Sequence, residues 1–522
     1  MAMEYPLFSA TRAKQHAAKA LFEDRKFTNV IEFFVEAFAF FATLMIVVYS
    51  LAQAALAYSY SRSKRANAKP PVTPVGWAGN LPRVLIQLPI YNEQYVVERL
   101  LNCMAKMDYP KDKLSIQLLD DSSDETTEIA ARVIAQLKTQ GIAIEHVRRV
   151  DRKGFKAGAL QYGLGLNDSE FVAIFDADFL PRPDFIKQVV AYFGDPKVGM
   201  VQTRWEHLNY NYSLITRLMG FAIDNHFSVE QGGRQASDNF INFNGTGGMW
   251  RRATIEDAGG WESDCLTEDL DLSFRSQLKG WKFLFVESIT TPSELPVEMN
   301  AVRSQQFRWT KGAAETGKKT LVNLWSSNAP LMSKIVGSFH MFNSLVFLFM
   351  HFFVVSMLLL PWFTHFSTGP LFWTLKVLIA ISFIGMIYTF GTAQRLGDFI
   401  GEKKSPLHIV LMTIFFTSTA IGLSFANSWA IIQAFIGKVT PFVRTPKLNI
   451  VKKDQTQAKN QAYKISALPP AAYVEILYTF IFVGMVIYCL PHAATTFIEV
   501  YAYFAMGFGF VAFHTLKESI RN

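Results

Sequence analysis

The sequence predicts an α/β domain with a mostly parallel mixed sheet and helices on both faces, inserted into a multi-helix transmembrane region. Three observations predict it. Long apolar runs occupy the two ends: Val30–Tyr60, then, beyond Leu331, residues 336–360, 371–390, 407–436, 471–490 and 495–513. A hydrocarbon core of ~30 Å takes about 20 apolar residues as helix, and these runs are long enough. Between them, residues 83–319 alternate short buried-strand patterns with helical ones, the mark of a mostly parallel sheet. Finally, the 522 residues are 50% hydrophobic but only 18% charged, against about 25% charged in a typical soluble domain.

The first run is too long for a cleavable signal peptide, and no small-residue cleavage site follows it. Basic clusters mark the cytoplasmic side: Arg62, Lys64, Arg65 and Lys69; Arg395, Lys403 and Lys404; Lys438, Arg444, Lys447, Lys452 and Lys453. The soluble domain belongs on that side too. The N-terminal stretch conflicts, because Arg12, Lys14, Lys19, Arg25 and Lys26 lie outside if one span follows them, unless they ride on an interfacial helix. Run 407–436 carries Gly422, Ser424, Asn427 and Ser428 in its middle, which predicts a bent, re-entrant or interface-lying helix. The net charge of +8 is mostly loop charge facing an anionic leaflet. No nucleic-acid signature is present, and Cys103, Cys265 and Cys489 form neither a metal spacing nor a disulfide framework. The expected organisation is an N-terminal segment and first transmembrane helix (1–61), a cytoplasmic domain (62–302), interface helices (303–330) and a membrane region (331–522) with a cytoplasmic loop at 438–468.

Within the soluble part, "RVLIQLPIYNE" (83–93), "LSIQLLDDSSDET" (114–126) and "FVAIFDADFLP" (171–181) read as strands that end in polar or acidic loops. Ligands of open α/β sheets bind off the carboxyl ends of strands, so these loops converge on one site. Asp176 and Asp178, spaced Asp-x-Asp, offer two hard oxygen donors suited to Mg²⁺ or Mn²⁺ and thereby to a diphosphate. Asp120 and Asp121 serve equally well as helix caps. "RKGFKAGAL" (152–160) sets Lys153 and Lys156 beside small residues, where an amine can neutralise phosphate. "NFNGTGGMWRR" (242–252) is glycine-rich but lacks the ending of a phosphate-binding P-loop. "TEDLD" (267–271) caps a helix well and also places a carboxylate base at a helix start. "SQQFRWTKG" (304–312) fits an amphipathic helix on a membrane surface, with Arg308 snorkelling and Trp309 in the interfacial belt.

Taken in order, "QLPIYNE", "LLDDSSD", "GFKAGAL", "AIFDADF", "FNGTGG", "TEDLDL" and "QQFRW" resemble the processive family 2 glycosyltransferases, which include cellulose, curdlan and hyaluronan synthases. The nearest resemblance is to plant-type glucomannan and xyloglucan-backbone synthases, and "VQTRW" and "FSVEQ" look like the mannan-synthase-like branch. The resemblance covers about 83–320 and continues loosely into the membrane region. It implies a glycosyltransferase A-type domain and an inverting transfer that builds a β-linked glycan. By the same resemblance Tyr91, Glu93, Asp120 and Asp121 hold the nucleotide's base and ribose, and Lys156 sits at the nucleotide. Asp176 and Asp178 hold the metal diphosphate. Asp269, flanked by Glu268, is the general base, and Gln305, Arg308 and Trp309 form a Gln-x-x-Arg-Trp motif whose Arg meets diphosphate and whose Trp stacks on the acceptor sugar. "PFVRTPK" (441–447) is similar to a gating-loop motif at Phe442, Thr445 and Lys447, with Arg444 in place of a Val. Asn244 stands where cellulose synthases carry a Cys. Implied partners are a nucleotide sugar, a glycan acceptor, membrane lipids and export proteins, in the plasma (inner) membrane. The expected donor is UDP-glucose, with GDP-mannose as the alternative and a lipid acceptor as a further one.

Overall fold

The computed structural model describes residues 7–66, 76–77, 80–362, 369–398, 404–440, 447–450, 468–491 and 497–521, with side chains from Val30 to Ile520 apart from Trp362. Among the described residues, seven strands form one sheet: β1 Val84–Ile90, β2 Leu114–Asp120, β3 Ile144–Val147, β4 Phe171–Ile174, β5 Val198–His207, β6 Gly248–Arg251 and β7 Lys282–Ser293. Their order is β3-β2-β1-β4-β6-β5-β7. All neighbours are parallel except β6, which runs antiparallel to both β4 and β5. The pleat turns alternate residues to opposite faces. Ile86, Leu88 and Leu118 therefore pack with Leu100, Ile134 and Val189 on one face. Leu85, Leu119 and Val172 pack with Leu160, Met219 and Leu272 on the other. Both faces are covered by helices, as the apolar runs of β1 and β4 require.

The loops after β1 and β2 are tied together at the carboxyl edge. Asn92, with φ of 55°, donates its backbone N–H to Ser122 Oγ at 2.9 Å, and its Oδ1 accepts from the Ser123 N–H at 2.9 Å. This local bonding fixes Tyr91 and Asp121 relative to one another.

The Met299–Ser326 helix carries the Gln-x-x-Arg-Trp motif. Its N-terminal N–H groups at Met299 and Asn300 donate to the Glu518 carboxylate, which satisfies orphan donors and places negative charge at the positive end of the dipole. Arg303 forks onto Glu475 at 3.1 and 2.6 Å and also reaches Thr515. The helix is thus clasped by Pro470–Cys489 and Ile498–Arg521, a firmer attachment than a helix floating on a membrane surface.

Among the described residues, three helices are long and apolar enough to cross a membrane: Val30–Arg65, Pro370–Leu396 and Pro470–Cys489. The number rises to five if two bent pairs each count as one span. Those pairs are Leu331–Met341 with Asn343–Leu359, bent by 52°, and Pro406–Gly422 with Ser424–Phe435, bent by 53°. The second bend falls at Gly422, within the polar patch that predicted it. The expected span at 495–513 is not among the five: its helix, Ile498–Arg521, ends in polar residues that hold the interface helix. The basic N-terminal stretch and the first span form one unbroken helix, Leu7–Arg65.

Candidate active site

A cavity of about 220 Å³ opens at the carboxyl edge of β1 and β4. Of the twelve residues singled out from the sequence, eleven line it: Tyr91, Glu93, Asp121, Lys156, Asp176, Asp178, Glu268, Asp269, Gln305, Arg308 and Trp309. Asp120 does not. Its side chain is wholly buried, with Oδ2 2.8 Å from His146 Nε2 and Oδ1 accepting from the Ser122 N–H at 2.8 Å. Burial pushes this carboxyl up, but hydrogen bonds from His146, Ser122 and Thr127 outweigh it and hold it down at about 2. Asp121, the next residue, turns to the cavity, where Arg149 holds both its oxygens.

Lys156 Nζ donates to Asp176 Oδ1 at 2.6 Å and to the Gly245 carbonyl at 2.9 Å. Burial works against its charge, but Asp176, Glu268 and Asp269 raise its pKa above the ordinary lysine value. Gly245 has φ of +79°, and a Cβ there would lie 3.1 Å from Asp269 Oδ2 and 3.4 Å from Lys156 Nζ. A side chain would crowd both charges, which explains the glycine of "NGTGG" in this turn. Asp178 is buried, with Oδ2 accepting from Lys447 Nζ at 2.7 Å and from the Glu294 N–H at 3.2 Å. Its Oδ1 is buried without a hydrogen-bond partner among the described residues.

Glu268 and Asp269 open the Glu268–Leu278 helix. Burial raises both carboxyls; the charge of Asp176 adds to the rise of Glu268, and that of Glu268 to the rise of Asp269, which reaches about 7. Arg308 and Lys156 act on Glu268 in the opposite direction. A carboxyl poised near neutrality is what a general base needs. The Met299–Ser326 helix reaches this spot because Gly312 lets it: a Cβ there would come within 2.5 Å of Thr267 Cγ2. Thr316 then meets Thr267, hydroxyl to hydroxyl, at 3.1 Å.

Several participants were not legible as such. The Arg152 guanidinium lies 3.3 Å from the centre of the Tyr91 ring. Lys447 belongs to the gating-like motif, but its pairing with Asp178 has no local signal; the rest of that motif, 441–446, lies outside the described residues. Lys311 is buried inside the interface helix and donates to the Lys438 carbonyl and Thr440 Oγ1. Among the described residues, the one acidic trio close enough to share an ion is Glu262, Asp264 and Asp271. Lys319 already pairs with all three, at 2.5, 2.9 and 3.2 Å, so it is an ion-pair network.

The family model "Glycosyltransferase like family 2" matches residues 82–312. "Probable glucomannan 4-beta-mannosyltransferase 2" of Oryza sativa subsp. japonica is 33% identical over 476 residues, spanning 88% of this chain and 79% of the relative. The chain belongs to glycosyltransferase family 2. "Probable glucomannan 4-beta-mannosyltransferase 6" of the same organism is 35% identical over 385 residues, 70% of this chain and 66% of that relative. Among solved structures, the mannosyltransferase PcManGT from Pyrobaculum calidifontis, in complex with GDP-Man and Mn²⁺, is 20% identical. It covers 78% of this chain and 100% of its own at a TM-score of 0.55, which shows a shared glycosyltransferase A-type fold. The chain is thus a family 2 enzyme of the hexosyl-transferring class. The UDP-glucose expectation finds no support in these relatives, which are named for mannosyl transfer.

Proposed function

We propose that this family 2 enzyme polymerises mannose, alone or with glucose, from GDP-mannose into a β-linked glycan and passes it into its membrane helices. The single observation that carries this is the meeting of Asp269, Asp176, Asp178, Arg308 and Trp309 around one cavity, on a chain whose long relative is named a glucomannan mannosyltransferase. GDP-mannose is also the donor bound by the Pyrobaculum calidifontis enzyme.

In this reading the nucleotide lies along Tyr91, Glu93 and Asp121. Asp176 and Asp178 fit a divalent cation: both are hard oxygen donors, and Asp178 keeps one buried oxygen without a partner among the described residues. When bound, Mg²⁺ or Mn²⁺ supplies positive charge to the departing diphosphate. Lys156 and Arg308 add theirs, and Arg suits two-point contact with phosphate. Trp309 takes the apolar face of the acceptor ring. Asp269 accepts the proton of the acceptor hydroxyl as its oxygen bonds to the anomeric carbon, while the bond to the diphosphate oxygen breaks and its electron pair leaves with the nucleotide. Catalysis on the cytoplasmic side of the plasma (inner) membrane, beside the interface helix, delivers the product straight to the bundle; lipids and export proteins are the remaining partners of such a route. Of the divisions this reading uses, those at 61 and 302 lie within the Leu7–Arg65 and Met299–Ser326 helices, and that at 330 lies between helices.

The test is to offer membranes holding the enzyme a panel of labelled nucleotide sugars. Label from GDP-mannose in a polymer that β-mannanase digests is expected. Label from UDP-glucose alone would overturn the donor assignment, and label confined to short lipid-extractable products would overturn polymerisation.

A further inference from the structure

A second cavity, of about 300 Å³, adjoins the first and shares Asn244, Asp269 and Trp309 with it. It runs from the base toward Tyr49, Met386 and Phe416 on the apolar helices. One side of it is built by an unusual element. Residues His226–Gln231 form a π-helical turn in the "FSVEQ" stretch. Such turns are rare and concentrate at functional sites.

The turn organises a hydrogen-bond chain with a single consistent reading. His226 Nδ1 meets Glu230 Oε2 at 2.8 Å, and His226 Nε2 meets Asn244 Nδ2 at 3.1 Å. Asn244 Oδ1 accepts from Asn242 Nδ2 and from Gln231 Nε2, which fixes Nδ2 as the donor end of that amide. His226 Nε2 must therefore accept, so Nδ1 carries the hydrogen and donates it to Glu230. Gln53, from the first apolar helix, donates to the other oxygen of Glu230 at 2.9 Å. Asn244 is left with one N–H that has no partner among the described residues, on a residue that lines both cavities together with Asp269 and Trp309. Asn225 and Asn242, on the same wall, each keep a buried side-chain oxygen without a donor among the described residues. A guest rich in hydroxyl groups is the chemistry that completes such a wall.

We propose that this π-helical turn reads the acceptor: Glu230 holds His226, His226 orients the Asn244 amide, and the remaining Asn244 N–H meets a ring hydroxyl of the terminal sugar while Trp309 takes its face. His226 and Glu230 are positioning residues, acting through Asn244. The inference rests on the glycan-synthase reading above and names the residues that choose its acceptor.

The experiment measures transfer from GDP-mannose to β-linked manno-oligosaccharides of defined length, fitting donor and acceptor KM separately for wild type, His226→Ala, His226→Gln and Glu230→Gln. Glu230→Gln keeps the volume but replaces the charged acceptor of the His226 Nδ1–H with a neutral amide, which loosens the imidazole; it also takes the charge from the buried Arg234, so melting is measured beside KM. Expected are rises in acceptor KM of about five- to tenfold for His226→Ala and Glu230→Gln, the scale of one hydrogen bond, with a smaller change in donor KM. Partial rescue is expected in His226→Gln, whose amide can both donate and accept. Equal rises in donor and acceptor KM, or an unchanged acceptor KM in the two disruptive variants, would overturn the proposal. Wild-type enzyme that transfers no sugar to these acceptors would instead sink the synthase reading on which it rests. Should His226→Ala fail to fold, Asn244→Ser decides: it removes the amide N–H directly, leaves the Glu230–Arg234 pair intact, and is expected to raise acceptor KM on the same scale.

Discussion

Lys447 Nζ lies 2.7 Å from Asp178 Oδ2, so a residue of the gating-like loop holds one of the two carboxylates assigned to the metal. A divalent cation and this ammonium compete for one oxygen. Lys447→Met is expected to lower the half-saturating Mn²⁺ concentration several-fold while reducing the maximal rate, because the same lysine stands beside the diphosphate position. Asp178→Asn and Asp176→Asn are expected to raise that concentration at least ~10-fold, each replacing a charged oxygen ligand with a neutral amide. Asp178→Ala is a poorer probe, since it removes the acceptor of both Lys447 Nζ and the Glu294 N–H, and unfolding would mimic lost function. Undiminished turnover in excess chelator contradicts the metal assignment.

Asp269→Asn is expected to retain nucleotide-sugar binding and lose ~10²–10⁴-fold in rate, the scale of general base catalysis. The folded enzyme raises this carboxyl to about 7, mainly by burial and then by Glu268. The sign follows: an ionised Asp269 costs stability above its unfolded pKa, and the cost grows until the pH passes the folded value. The Asn variant is therefore expected to melt higher than wild type at about pH 8, with the gain fading toward about pH 4. In the wild type, kcat/KM should climb through about pH 7 on its acid limb. A variant that melts lower and loses binding and rate together would mark Asp269 as structural.

For Trp309, the contest is between membrane anchor and sugar platform. Ring-stacking contributions of about 0.5–2 kcal/mol predict that Trp309→Phe loses a few-fold to ~30-fold in elongation. Trp309→Ala should lose more, and the ratio of transfer to hydrolysis of the nucleotide sugar should fall in both. An unaltered ratio and rate would return Trp309 to the interfacial belt.

The adjacent acids of β2 are expected to separate. Asp121→Asn, at the cavity, should raise donor KM, with some loss of melting temperature as Arg149 gives up its charged partner. Asp120→Asn should destabilise instead. Its folded pKa of about 2 lies below the unfolded value, so its contribution, on the order of 2 kcal/mol, is present above about pH 4 and lost as pH falls through the folded value. Equal donor KM effects from both would contradict this division.

That pair also shows why the sequence was legible only in part. Strand ends and their acids were readable because β1, β2 and β4 are short apolar runs bounded by polar turns. Which acid of Asp120–Asp121 faces the ligand was not, because each strand step turns the side chain over and the partner that claims Asp120, His146, comes from β3. Strand β6 escaped because four residues after a glycine-rich turn carry no alternation, and its antiparallel pairing depends on β5 coming in beside it. The π-helical turn has no periodicity to read. Lys447 and Arg152 act through contacts that only the folded chain creates. The helix that carries the Gln-x-x-Arg-Trp segment packs against the apolar helices, and its clasp by Glu475 and Glu518 had no signal in the sequence.

The central claim is a single displacement at the anomeric carbon, with Asp269 taking the acceptor's proton. The anomeric configuration of the first linkage formed tests it most directly, read by carbon–proton coupling in the product made from an α-linked nucleotide sugar. The account predicts a β linkage, the inversion that one displacement imposes; an α linkage would contradict it.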